Sequence, residues 1–546
     1  MLKSPNVTRS IAVVGLESAG KSTLVSGLSG QSALASNFRG TTVACERYRC
    51  RDGELIDTPG LLFASDSEAL PEVLELLADS DAVLLVVRAT HLDEELDRLL
   101  PLVGGRRGVV VLTFWDKVQP GEHAWEAVEQ LSRTVGVPFV PVDARELSSA
   151  TQERIFAALE MGGKFRPPLV RPRVGWKIEP RASLFEIGAL GSLLSLMLLL
   201  LPMFCAVQLA NTLAGWADPL VASLVGPAAE WLQRTMPTGL AAVLAGRYGL
   251  LTMGPLLFLW AAPTVVIYAL LGVYKTSGLI DRLTVGIQPW MRPFGLTGRD
   301  LVRILMGMGC NVPAVINSRS CSSCTRTTCL HAIGFGSACS YQFGATLGVF
   351  AAADRPWLIW PYVGYLAFTT LLYSRWVSPA AARDRTNLML LEGRSFLQWP
   401  TGRALRRETA SVLREFFGRA LPIFLGITIA ASLLDLAGVL QLGAQAISPA
   451  LGLLNLPGDA ALPVMLSCIR KDGLLLFAEA GFAAQLSSWQ LLTGVYFAGV
   501  LMPCLVTVLT IARERSWMFA GRLLARQIAA ACVFSLLLAA VGQVWS

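Results

Sequence analysis

The sequence predicts an α/β P-loop GTPase-type domain with a mostly parallel sheet, followed by an α-helical polytopic membrane domain. Three observations carry this reading. Residues 15–23, Gly-Leu-Glu-Ser-Ala-Gly-Lys-Ser-Thr, form a complete phosphate-binding loop between a strand pattern and a helix pattern. Up to residue 165, short Val/Ile/Leu runs alternate with charged amphipathic stretches. Finally, 53% hydrophobic residues, 16% charged residues and a mean hydropathy of +0.53 over 546 residues are too apolar for soluble domains alone, and the excess lies after residue 185.

Met1–Ser10 has no apolar run of signal-peptide length and passes directly into a strand pattern, which predicts a cytoplasmic N-terminal domain. Strands are expected at Ile11–Val14, Val43–Arg49, Glu54–Ile56, Ala82–Val87, Val109–Leu112 and Pro138–Val142, with helices such as Ser67–Leu77 and Ala124–Thr134 between them. That alternation implies a sheet covered on both faces. Arg166–Arg181, with four prolines and five cations, reads as a linker. The expected organisation is a GTP-binding domain over 1–165, a basic juxtamembrane linker over 166–184, a first membrane half over 185–376, a basic cytoplasmic segment over 377–418 and a second membrane half over 419–546.

Apolar stretches close to the ~20 residues of a span occur near 187–209, 250–274, 331–353, 356–374, 420–441, 486–511 and 526–545. Two more, 301–317 and 459–481, are shorter or interrupted by polar residues. Such interruptions mark binding sites in membrane domains, because half-helix ends expose backbone groups at mid-membrane depth. Met308-Gly309-Cys310-Asn311-Val312-Pro313 and Met502-Pro503-Cys504 echo each other, each placing Cys and Pro in an apolar segment that runs into Arg319 or Arg513.

The net charge of +7 does not point to nucleic acid. Lys164, Arg166, Arg171, Arg173, Lys177 and Arg181 precede the first span, and Arg383, Arg385, Arg394, Arg403, Arg406 and Arg407 fill a later loop, the positive-inside pattern. Gly215–Gly246 has few cations and is expected on the far side of the bilayer. Eleven cysteines are spread over both halves without a small secreted core, which argues against structural disulfides in the cytoplasmic part, and Cys45 and Cys50 read as strand packing.

The expected nucleotide contacts are Gly15, Ser18, Ala19, Gly20, Lys21, Ser22 and Thr23. The glycines let backbone N–H groups approach the phosphates, Lys21 reaches the β and γ oxygens, and the Ser22 hydroxyl meets Mg²⁺. Asp57-Thr58-Pro59-Gly60 ends the third strand, so Asp57 can hold Mg²⁺ through water and the Gly60 N–H can sense the γ-phosphate. Thr42 is placed to close over Mg²⁺ when that phosphate is present. Lys21, Thr42 and Gly60 are thus the expected catalytic set. Where an Asn-Lys-x-Asp base signature would fall, the chain reads Thr113-Phe114-Trp115-Asp116, so Asp116 alone is left to accept from guanine. Leu61 replaces a water-orienting glutamine, which predicts slow GTP hydrolysis to GDP.

With these motifs in one chain, the sequence resembles the FeoB family of bacterial ferrous iron transporters. The resemblance rests on the GTPase motifs, Gly307-Met308-Gly309-Cys310-Asn311-Val312-Pro313-Ala314, Ser337-Ala338-Cys339-Ser340, Arg470-Lys471-Asp472-Gly473 and Leu501-Met502-Pro503-Cys504. It implies two inverted gate-like repeats, Fe²⁺ as transported ion along a path lined by Cys310, Cys339 and Cys504, an inner-membrane location, and a small cytoplasmic accessory protein or a homo-oligomer as partner. Thiolates suit a borderline-soft divalent ion, and cysteine also packs well between helices; both readings stand. The chain departs from the family in several places. Ser18 replaces an asparagine associated with potassium activation, the helical spacer domain is short or absent, and Tyr341-Gln342-Phe343-Gly344 replaces Ala-Arg-Leu-Pro.

Cys321, Cys324, Cys329 and His331 lie in what reads as a polar loop after the first gate, a spacing that fits a four-ligand zinc or iron site, a redox pair or an inert cluster. Two functions compete: a GTP-dependent inner-membrane importer of Fe²⁺ or a related divalent ion, and a membrane-anchored nucleotide-dependent regulator or receptor.

Overall fold

The structure is a computed structural model that describes residues 9–16, 19–30, 46–50, 53–58, 69–118, 122–166, 172–180, 183–186, 188–245, 251, 265–267, 269–321, 323–383, 396–400, 402–415, 417–418 and 421–545. Ser18, Thr42, Cys45, Gly60 and Leu61 lie outside the described residues, as do the side chain of Cys324 and most of 250–274. The chain divides into two compact units, with the boundary at Ala182/Ser183.

The first unit is built on a six-stranded sheet in the order β2-β3-β1-β4-β5-β6. β1 (Arg9–Gly15) lies between β3 (Gly53–Asp57) and β4 (Ala82–Arg88), parallel to both. β5 (Gly108–Thr113) and β6 (Phe139–Pro141) extend the parallel sheet, and β2 (Glu46–Cys50) pairs antiparallel at the edge. Successive residues of β1 point to opposite faces. Ala12 and Val14 join a core with Leu96, Leu99 and Leu131, while Ile11 and Val13 join another with Leu24, Leu28 and Ile155. The covering helices are α1 (Lys21–Ser29), α2 (Ala69–Asp79), α3 (Leu92–Val103), α4 (Glu122–Val135) and α5 (Ser149–Met161).

The expected linker is not slack. Asp93 accepts from the backbone N–H groups of Val174 and Gly175, the Trp176 indole donates to Ala89 O at 2.9 Å, and Ile178 N donates to Thr90 O at 3.0 Å. Residues 172–180 therefore strap the start of α3. Between Met161 and Gly188 the described residues hold a single 3-10 turn, Leu184–Glu186, and no helical spacer.

The second unit is helical, and its organising feature is breakage. The 48-residue helix Gly188–Thr235 carries its apolar window at Gly188–Ala206 and runs on through part of Gly215–Gly246, past Pro219 and Pro227. Among the described residues, Gly188–Ala206, Ser488–Glu514 and Trp517–Trp545 are long and apolar enough to cross a membrane, and Leu421–Leu436 with Val439–Leu454, bent by 78°, is apolar and long enough only as a pair. The stretch expected as one span at 331–353 is instead two helices, Ser323–Gly336 and Ser340–Ala352. Three cysteines of the expected polar loop thereby fall at or on a helix. Ser488–Val500 and Leu505–Glu514 form a second broken span.

Each broken span is preceded by a hairpin. Gly298–Gly307 turns at Met308–Cys310 into Asn311–Asn317, and its two ends return to one side, since Asp300 and Cys321 place ligand atoms within 4.8 Å of each other. The other joins Ala461–Ile469 to the 3-10 run Lys471–Gly481; Leu456 before it and Phe477 near its end both meet Gly494.

The two halves repeat at one constant spacing. Gly278 and Gly438 are left-handed N-caps (φ 77° and 71°), Pro289 and Pro449 sit in the next helices, Gly295 and Asn455 are again left-handed, and Cys310 and Arg470 are extended N-caps. Arg319, before the first broken span, pairs with Glu514 at the end of the second, while Arg355, after the first, donates to Leu486 O before the second. The spans therefore run in opposite directions, and the repeats are inverted. Cys310 corresponds to Arg470 at that spacing, and Cys339 corresponds to Cys504 by its place at the break, five residues out of it. The sequence echo between Cys310 and Cys504 thus joins non-equivalent positions, because it compared residue types instead of places in the topology.

Trp176→Ala should release the strap and lower the stability of the first unit by about 1–2 kcal/mol, a lost hydrogen bond plus partial burial. Faster proteolytic cleavage within 172–180 checks this, and unchanged cleavage would show that Asp93 holds the strap alone.

Candidate functional site

The phosphate loop is shaped by two glycines. A Cβ on Gly15 would collide with the Val86 carbonyl of β4, and Gly20 takes φ 88° as N-cap of α1, a conformation that side chains resist. The first turn of α1 thus presents backbone N–H groups at its positive end, suited to an anion. Lys21 is 6% exposed and its ammonium folds back onto Gly15 O (3.0 Å) and Leu16 O (2.9 Å). The Ser22 hydroxyl donates to Asp57 Oδ2 at 2.8 Å, and Thr58 is anchored by Val13 O. Ala19, Gly20, Lys21, Ser22, Thr23 and Asp57 are therefore assembled at the end of β1 and β3.

Thr113, read from the sequence as a lost base contact, has a positive role. Its buried hydroxyl donates to Ala19 O at 2.6 Å and ties β5 to the phosphate loop. Phe114 adopts φ 58° to turn the chain, and Asp116 is left partly exposed, paired with Lys117 at 2.6 Å. Sequence reasoning missed the turn after β6. There Arg145 N donates to Asp143 Oδ1 at 2.9 Å; burial lowers the Arg145 pKa, and Asp143 and Asp116 oppose that shift. The residues flanking Asp116 are thus acidic and basic in close alternation.

In the second unit, Cys310, Cys339 and Cys504 line one cavity of about 20 Å³, together with Asn311, Tyr341, Lys471 and Asp472. That is room for roughly one water. Each thiol is an N-cap: Cys310 of Asn311–Asn317, Cys339 of Ser340–Ala352 and Cys504 of Leu505–Glu514. Arg470 caps the fourth broken element. The breaks are stitched together. Ser340 Oγ and N both donate to Gly309 O (2.9 and 3.2 Å), and the Cys504 thiol lies 3.0 Å from Thr507 Oγ1.

The orphan carbonyls of the broken helices find partners inside the protein. Lys471 is 4% exposed and its ammonium donates to Ala498, Gly499 and Met502 carbonyls at 3.2, 2.6 and 2.7 Å. Gln527 donates to Gly334 O and Val500 O, one from each broken span. Arg470 is fixed by Asp472 through two bonds and by Thr428.

Of the expected set, Cys321 and Cys329 come together, the Cys324 side chain lies outside the described residues, and His331 is turned elsewhere. Neighbours two apart on a helix are separated by about 200° around its axis, so His331 faces away from Cys329, and its Nδ1 meets Tyr373 Oη at 2.7 Å.

Lys471→Met should leave three buried carbonyls without their donor, at about 1–3 kcal/mol for each group. The thermal midpoint of the second unit in detergent should fall clearly while nucleotide binding by the first unit is unchanged; an unaltered midpoint would mean that water replaces the ammonium.

The model for the 50S ribosome-binding GTPase family matches residues 10–113, and the Gate model, described as nucleoside recognition, matches residues 250–353. The Fe(2+) transporter FeoB of Synechocystis sp. is 22% identical over 361 residues, covering 58% of this chain and 57% of that one. That of Helicobacter pylori is 24% identical over 364 residues, covering 60% and 56%. GTPase Der of Synechocystis sp. is 33% identical over 164 residues, covering 28% and 35%. Among solved structures, the cytosolic domain of L. pneumophila FeoB is 21% identical with a TM-score of 0.24, covering 30% of this chain and 68% of that one. The matched region spans a little over half the length of the FeoB relatives. With GTPase and gate regions in this order, and FeoB alignments longer than the soluble unit, the chain is similar to the FeoB transporters over about three fifths of its length.

Proposed function

We propose that the protein is a GTP-dependent importer of Fe²⁺ or a closely related divalent ion in a bacterial inner membrane, with its first unit in the cytoplasm. The observation that carries the reading is the convergence of Cys310, Cys339 and Cys504, each an N-cap of a broken helix, on one cavity in a chain that also holds a phosphate loop. Thiolates favour Fe²⁺ over Mg²⁺ or Ca²⁺. A chain that only anchored or sensed would need neither inverted broken spans nor thiols from both repeats in one place.

In the first unit, the Ser22–Asp57 oxygen pair suits Mg²⁺, which when bound neutralises charge between the β and γ phosphates. Lys21, released from Gly15 O and Leu16 O, would turn to the phosphates, and Asp116 would select guanine. Thr42 and Gly60 would close on the γ-phosphate and open with GDP. The strap 172–180, fixed on α3, is the covalent route from this switch toward the second unit. A homo-oligomer or a small accessory protein is a proposed partner on family grounds.

Two outcomes follow. Lys21→Ala should abolish GTP and GDP binding, and the wild-type protein should prefer GTP over ATP; equal affinities would deny Asp116 its role. In proteoliposomes, Cys310→Ser and Cys504→Ser should each reduce Fe²⁺ uptake at least about tenfold, the scale of losing a metal ligand's support, with GTP hydrolysis nearly unchanged. Full uptake in the double variant would return these thiols to packing.

A further inference from the structure

Cys321 and Cys329 do have a partner that sequence spacing hid. Asp300, from the first turn of Gly298–Gly307, places a carboxylate oxygen within 4.8 Å of both thiol sulfurs. Asp300 and Cys329 are buried, and Cys321 is half-buried. Asp300 is oriented from both sides: Oδ2 accepts from Thr297 N and Thr297 Oγ1, and Oδ1 accepts from Arg303 Nη1 at 3.0 Å. The carboxylate is thus fixed before any ion arrives.

Arg326, which also faces Cys321, is opposed by Glu514, and the charges of the cluster itself are matched to a divalent cation. With both thiols protonated, the carboxylate and the Arg303 guanidinium cancel. With two thiolates, the carboxylate, the guanidinium and one divalent ion, the sum is again zero. An ion can exchange for two protons without leaving net charge in a buried site. Two sulfurs and one oxygen suit Zn²⁺, Fe²⁺ or Co²⁺ and disfavour Mg²⁺.

The position is set by the hairpin. Gly298–Gly307 runs from Asp300 toward Cys310, and Ser323–Gly336 carries Cys329 toward the break before Cys339, so the cluster lies about 10–15 Å from the gate cavity at 1.5 Å per residue. It is at the end where the chain enters the second unit. Gly298 packs on Thr284 O, and Gly286, on the same helix, packs on Phe185 O and accepts from Ser192. With the first unit cytoplasmic, this is the receiving end of the path and not its mouth.

We propose that Asp300, Cys321 and Cys329 form a second binding site for a thiophilic divalent cation, which takes the ion after it leaves the Cys310–Cys339–Cys504 cavity. Only its place in the path rests on the transport reading; binding itself does not.

The test uses the full chain, reduced, in detergent, with Co²⁺ as probe and the sulfur-to-cobalt charge-transfer absorption as readout. The Cys310→Ala/Cys504→Ala variant should keep one thiolate-bound Co²⁺. Adding Cys321→Ser and Cys329→Ser should remove it, and Asp300→Asn, which keeps an oxygen acceptor for Thr297, should weaken it about tenfold or more. Absence of thiolate-bound Co²⁺ in the gate variant, with Cys321 and Cys329 titrating as free thiols and the protein monodisperse, would overturn the site. So would a Cys321–Cys329 disulfide that persists in the presence of reductant. Retained Co²⁺ with no Fe²⁺ uptake by the wild-type protein would sink the transport reading alone, and lost Co²⁺ with normal uptake would sink this site alone.

Discussion

The second unit is governed by one constraint: a helix broken inside an apolar environment leaves backbone carbonyls and N–H groups that no water can satisfy. Lys471 answers it for the end of Ser488–Val500, and Gln527 bridges the ends of both broken spans. Gln527, itself buried, holds a carbonyl of each broken span and so sets the distance between the repeats. Beside Lys471 lies the cavity, lined by Cys310, Cys339 and Cys504 at the points where the chain turns at the breaks.

The inverted arrangement has an electrostatic consequence. Several half-helix N-termini meet near one cavity, and such ends favour negative charge. A bare cation is therefore poorly served by the backbone there. What the backbone favours is an anionic ligand group, so a cation is held through side chains placed between it and the helix ends. Thiols at the N-cap positions meet that geometry, while Arg470 takes the equivalent place in the second hairpin and is neutralised by Asp472. The repeat is thus symmetric in backbone and asymmetric in charge.

The first unit follows a different logic. Thr113 gives up a base contact and ties the phosphate loop to β5, so the loop's position depends on the central sheet. The strap 172–180 lies on the start of α3, where Asp93, Ala89 and Thr90 hold it through backbone groups and one indole. Its sequence, rich in proline and cations, resembles a free linker because local composition records no partner.

The sequence by itself determined the parallel sheet, the phosphate loop at Gly15–Thr23 and the apolar second half, since each is written in local periodicity and spacing. It also singled out the interrupted segments near Cys310 and Lys471, because polar residues and glycines in an apolar run are visible without a fold. Only the tertiary structure decided that Cys310 is equivalent to Arg470, that 331–353 is two helices, that Thr113 serves the phosphate loop and that Cys329 faces Asp300 and not His331. These outcomes depend on helix phase and on contacts between segments far apart in the chain. Spacing along a sequence counts residues, whereas a ligand set is chosen by direction: two positions on a helix are near in number and opposite in space.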